Sequence, residues 1–230
     1  MKTFFAANWQ LLLMVAVVFL LWNQPVAYPL RLLVVVFHEA SHALMAIVTG
    51  GQVLEMTVNV NEGGHVRFAG GNHFLTASAG YLGSLAIGLG LVILSVRGNA
   101  DRAVLAGLAV VLVVLAALYV RELFALAFIL GTSALFLAVA RFLAPVWSDL
   151  ILRIIGLTSL IYVPYDIFSD TLARAHLRSD ARIIAEVTGI PTVIWGALWV
   201  IMSVVAIFYA LRMLTAQPTH LFDFGRGKAR

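Results

Sequence analysis

A series of apolar stretches, each near the length of one bilayer crossing and separated by short polar breaks, accounts for most of this chain and leaves no room for a large water-soluble domain. The stretches lie at about Trp9–Leu21, Pro29–Val48, Leu75–Val96, Ala103–Val120, Leu123–Ala140, Leu150–Phe168 and Thr192–Leu211. Composition agrees: 62% of the 230 residues are hydrophobic and 11% are charged, where a soluble domain is about a quarter charged. The expected fold is therefore an all-α polytopic membrane protein of about 6–7 transmembrane helices, forming one integral membrane domain over residues 1–230. The count turns on Arg121-Glu122, which either separates two spans or sits as an intramembrane charged pair in one long kinked helix. The first stretch runs through Trp22 into Asn23-Gln24-Pro25 with no small-residue cleavage site, so it reads as a helix and not as a secretory signal.

Inside the second stretch stands Phe37-His38-Glu39-Ala40-Ser41-His42, an H-E-x-x-H motif. Residues four apart share a helix face, so His38 and His42 can offer two imidazole nitrogens to one metal ion. Glu39 then lies beside the metal as a general base that takes a proton from water. From composition alone, about 0.003 such matches are expected in this chain. The alternative makes the histidines helix-packing residues and Glu39 a buried carboxyl bonded to one of them. Against it, each ionisable group at mid-membrane costs roughly 2.5–3.5 kcal/mol or more, and three clustered groups need a compensating partner. A divalent cation is such a partner. The chain has no cysteine, so a metal must be held by imidazole and carboxylate, and zinc is the expected ion.

After the motif, residues 51–72 alternate apolar and polar side chains around Gly63-Gly64, which predicts a polar β-hairpin whose glycines supply the positive φ of a tight turn. Its exposed edge could hold a peptide in extended form. His65 and His73 flank the second half and read as surface or interface residues, because glycine-rich polar sequence belongs at or outside the membrane surface.

Catalytic zinc usually takes three protein ligands, and Asp149, Asp166, Asp170 and Asp180 are the downstream acids available. Asp166 is the expected third ligand. It follows Pro164 within apolar sequence, and a proline there should break or kink the helix and aim the side chain inward. Asp170, one turn farther on, remains an alternative. Both Asp170 and Asp180 read more naturally as capping or ion-pairing residues of a surface helix, with Ser179-Asp180 resembling an N-cap.

These residues resemble the site-2 protease family of zinc intramembrane metalloproteases, in its compact bacterial-type branch. His38-Glu39-Ala40-Ser41-His42 matches the family's motif helix, and Thr49-Gly50-Gly51 with the following hairpin looks like its glycine-led β insert. Ala79-Gly80-Tyr81-Leu82-Gly83-Ser84 is similar to its small-residue segment, and Asp166 sits where its late-helix aspartate ligand is expected. The family's aspartate is followed by glycine and preceded by an asparagine–proline pattern; here Ile167 follows, and no asparagine precedes Pro164.

The resemblance implies a zinc metalloendopeptidase that hydrolyses peptide bonds in or near transmembrane segments of membrane-protein substrates, as a multi-pass protein of a bacterial cell membrane. In that reading His38, His42 and Asp166 hold Zn2+ and Glu39 is catalytic. The alternative is a proteolytically inert zinc-binding membrane protein or a metal-ion transporter, although the third to fifth spans offer few polar residues for an ion path. The partners expected are a membrane-protein or peptide substrate and the lipid bilayer. The net charge of +4, concentrated in the basic tail 212–230, fits a membrane-adjacent anchor and calls for no nucleic acid.

Overall fold

The computed structural model describes residues 2–97, 100–173 and 179–215. Helix α1 (Lys2–Leu20) leads through a 3-10 turn at Pro25–Ala27 into α2 (Tyr28–Val48), which carries the H-E-x-x-H motif. Strands β1 (Gln52–Val58) and β2 (Gly64–Ala69) follow, then α3 (His73–Arg97), α4 (Asp101–Tyr119), α5 (Leu123–Phe142) and α6 (Pro145–Phe168). The last of these runs on into a π-helical turn at Ser169–Ala173, and α7 (Asp180–Thr188) and α8 (Thr192–Thr215) end the described chain.

Six helices among the described residues are long and apolar enough to cross a membrane: α2, α3, α4, α5, α6 and α8. Ahead of these, the described residues of α1 contribute a shorter apolar helix, Asn8–Leu20. At Arg121-Glu122 the chain does separate two helices, since Val120 and Glu122 are both extended. Arg121 turns back to donate to the carbonyls of Leu118 and Val120, each at 2.8 Å, so it caps the end of α4 instead of forming a charged pair within one helix. Most of the basic tail, residues 216–230, lies outside the described residues.

Helix α3 is the hub, with α2, α6, α7 and α8 packed around it. Small residues allow this close approach. A Cβ on Gly83 would collide with the Ser41 side chain of α2, and one on Gly88 would lie 2.7 Å from Ser159 Cβ of α6. The run Leu32–Phe37 of α2 is buried throughout, which fixes the motif one turn farther on at the centre of the bundle. Helix α6 continues through Pro164 instead of breaking there. The departure from α-geometry comes just after it, at Ser169.

The hairpin forms as expected, with Val58 opposite Gly64 and Gln52 opposite Ala69, and a register irregularity between Val53 and Glu55. Its turn differs from expectation. The left-handed residue is Glu62, at φ 60°, and neither Gly63 nor Gly64 has positive φ. Asn59 organises this turn, its Oδ1 accepting from the backbone N–H groups of Asn61 and Gly63. Nor does the hairpin lie outside the helices. Met56 and Val58 are fully buried, and Tyr28 at the start of α2 donates its hydroxyl to the Val60 carbonyl at 2.6 Å. The sheet thus folds back along α2 toward the middle of the bundle.

Candidate metal centre

His38 and His42 lie one helical turn apart on α2, with their Nε2 atoms 3.0 Å from each other. Asp180 completes the group: its Oδ2 lies 2.9 Å from His38 Nε2 and 3.1 Å from His42 Nε2. These three residues are the one set of histidines and acids among the described residues close enough to hold a metal ion together. Asp166, the expected third ligand, is not part of it. The acid that stands with the two histidines is Asp180, first read as a surface helix cap.

The reason lies in α7. Ser179 does cap this helix, its Oγ accepting from the Arg182 N–H at 3.4 Å, and Gly189 closes it in the left-handed conformation at φ 73°. The helix is nevertheless not a surface element, because Ala181 and Ile184 are fully buried as it packs against α3 and α8. Burying that face turns Asp180, in the first turn, down onto the α2 histidines. Asp166 and Asp170 sit on the wall of the same cavity. Asp170 Oδ2 accepts the Tyr81 hydroxyl at 2.5 Å. The Tyr81 ring stands edge-on to His38 with centroids 4.9 Å apart.

The chemistry of the three donors fits a metal. His42 Nδ1 lies 2.6 Å from the Thr76 carbonyl, and a carbonyl only accepts, so Nδ1 carries the proton and the neutral ring presents the Nε2 lone pair. That lone pair faces a carboxylate oxygen, two acceptors in contact unless a cation lies between them. Such a carbonyl behind a ligating histidine is the usual partner that fixes its tautomer. Tetrahedral zinc with bonds of 2.0–2.2 Å would set its ligand atoms about 3.3 Å apart, and the observed separations fall slightly below that.

Glycine makes the space. A Cβ on Gly80 of α3 would lie 2.5 Å from His42 Nε2 and overlap His38 Nε2 as well, so no side chain fits between the α3 backbone and the two nitrogens. Gly64 of β2 plays the matching part on the other side, where an added Cβ would fall 2.6 Å from Glu39 Oε1. Glu39 is 4% exposed, and its Oε2 is buried with no hydrogen-bond partner. A buried, unanswered carboxylate oxygen beside the three donors is placed for a group that enters from the cavity.

That cavity has a volume of about 740 Å3, within the range of small-molecule and peptide sites. The α2 face with His38, Glu39 and His42 forms one wall and residues Gly64–Phe68 of β2 another. His65 and His73 border it too; both are exposed, as expected of surface or interface residues, and neither joins the donor group. Sequence reasoning missed Asp180, the Thr76 carbonyl and the clearance at Gly80. The available signal was the pair Ala181 and Ile184, three residues apart behind an N-cap: an apolar helix face in a charged segment needs something to cover it.

The family model for Peptidase M50B-like proteins matches residues 11–210. No curated protein and no solved structure matches the chain. The match spans most of the sequence and includes every residue of the donor group, and the chain belongs to the M50B-like peptidase family.

Proposed function

We propose that this M50B-like chain is an intramembrane zinc metalloprotease that hydrolyses peptide bonds in or near transmembrane segments of membrane proteins, within the cell membrane of a bacterium. The observation that carries the reading is the meeting of His38, His42 and Asp180 beside a buried Glu39 whose Oε2 has no partner. His38 and His42 would hold zinc through Nε2 and Asp180 through a carboxylate oxygen. When bound, zinc supplies a Lewis acid that polarises the scissile carbonyl and makes water nucleophilic near neutral pH.

The protein's own groups supply the rest. Glu39 takes a proton from the attacking water as its oxygen bonds to the carbonyl carbon, then returns that proton to the nitrogen of the leaving amine as the C–N bond breaks. The Thr76 carbonyl keeps His42 in the tautomer that leaves Nε2 available. Strand β2 offers the substrate grip. One side of the sheet is occupied, because Met56 of β1 bridges to Val120, whereas β2 borders the cavity along Gly64–Phe68. An extended peptide added to that edge would run past Glu39, and a transmembrane helix would have to unwind locally to do so.

The test is cleavage of candidate membrane-protein substrates by the purified chain in lipid, with and without a chelator. Cleavage that stops on chelation and returns with zinc is expected. Cleavage indifferent to chelation would contradict the reading, as would a zinc-loaded chain that cuts no membrane substrate.

A further inference from the structure

Arg31 is the one lysine or arginine in α2, and it lies seven residues before His38, on the same side of the helix. Its guanidinium grips Glu62 at the hairpin tip with both arms, Nε to Oε2 at 2.8 Å and Nη2 to Oε1 at 2.7 Å. The third nitrogen, Nη1, donates to the Trp22 carbonyl in the connection after α1. Beside this fork the Tyr28 hydroxyl holds the Val60 carbonyl. Trp22 in turn leans on α6, its ring 5.8 Å from that of Tyr162 and 5.9 Å from that of Tyr165.

The clamp acts at the catalytic base. Glu62 holds the left-handed conformation at the turn, which a non-glycine residue keeps only when its surroundings enforce it. Two residues later comes Gly64, in van der Waals contact range of Glu39. Glu62, Gly63, Gly64 and Tyr162 all border the catalytic cavity. An arginine within a membrane-crossing segment is costly and persists where a partner and a function hold it. Here the partner is the tip of the strand that covers the base.

Building on the protease reading, we propose that Arg31 is a positioning residue: its grip on Glu62 and the Trp22 carbonyl seats Gly64 against Glu39 and closes the hairpin-tip end of the catalytic cavity. Lysine cannot replace it, since the site uses all three guanidinium nitrogens in a planar fork.

The test compares the full chain in lipid nanodiscs with Arg31→Ala, Glu62→Gln and the exchanged pair Arg31→Glu with Glu62→Arg. Three quantities are read: zinc content, amide hydrogen exchange over residues 52–69, and kcat and KM for cleavage. Glu62→Gln alters only the turn, which guards against a variant that merely fails to fold. Both single variants are expected to keep native zinc content and to speed hairpin exchange by about tenfold or more. Their kcat should fall by roughly tenfold to a hundredfold, as a displaced base requires, with KM changing less. The exchanged pair should slow hairpin exchange again and recover part of kcat, the Trp22 contact remaining lost. Unchanged exchange, faster exchange with native kcat, loss of zinc in both single variants, or an exchanged pair that restores nothing would each overturn the proposal. Exchange and zinc content need no substrate, so a native chain that cuts nothing counts against the protease reading while exchange still decides the clamp.

Discussion

Gly80→Ala adds one methyl group at the closest point between α3 and the donor histidines. The new Cβ would lie 2.5 Å from His42 Nε2, where real Cβ atoms keep at least 3.0 Å. The ring must therefore retreat by at least about 0.5 Å, beyond the ±0.2 Å within which zinc–ligand distances hold. His42 has little freedom to do so, since its Nδ1 is tied to the Thr76 carbonyl, and His38 Nε2 meets the same methyl. Displacing both imidazoles should weaken zinc binding by at least about a hundredfold, or ~2.7 kcal/mol. Competition against a chromophoric chelator measures this directly. Gly90→Ala is the control on the same helix, because a Cβ there meets nothing within 4 Å. It should keep native zinc affinity and stabilise α3 by about 0.5–1 kcal/mol through the loss of a helix-interior glycine. A Gly80→Ala protein that binds zinc as tightly as the native chain would refute the placement of the metal against α3.

Three further outcomes follow from the same geometry. His38→Ala and His42→Ala should each abolish stoichiometric zinc, measured by elemental analysis, because either change leaves two ligands where catalytic zinc needs three. Glu39→Gln keeps shape and removes the proton acceptor, so zinc should remain while kcat falls by about 10²–10⁴; native cleavage would sink the assigned base. Gly64→Ala pushes a methyl to within 2.6 Å of Glu39 Oε1, and steady-state assays should show about a tenfold or larger loss of kcat at native zinc content. Loss of zinc in that variant would mean that β2 supports the ligands and not the base.

The local parts of the site were legible in the sequence and the distant part was not. His38 and His42 declare a shared face by spacing alone, and the hairpin declares itself by alternation. Asp180 lies 138 residues beyond His42, in a charged segment outside the apolar stretches, and nothing in one sequence says where such a helix docks. Asp166 looked better because it is embedded in apolar sequence, and such embedding puts it on the cavity wall without bringing it into the donor group. Pro164 misled in the same way, since helix α6 runs through it. The hairpin's depth was hidden because glycine-rich polar sequence usually seeks water. Its clue was a pairing across distance, the lone Arg31 of α2 and the Glu62 of the turn, each of which needs the other inside the bundle. Gly63-Gly64 suggested turn geometry, whereas Gly64 is there for clearance over Glu39.

Zinc content of the native chain, Asp180→Asn and Asp166→Asn, prepared as folded protein of equal yield, tests the account most directly. A neutral amide is a poor replacement for an anionic oxygen at a divalent ion. About one zinc per chain is expected in the native protein and in Asp166→Asn, and a loss of most of it in Asp180→Asn. Zinc retained by Asp180→Asn and lost from Asp166→Asn would contradict the site described here and return the third ligand to α6.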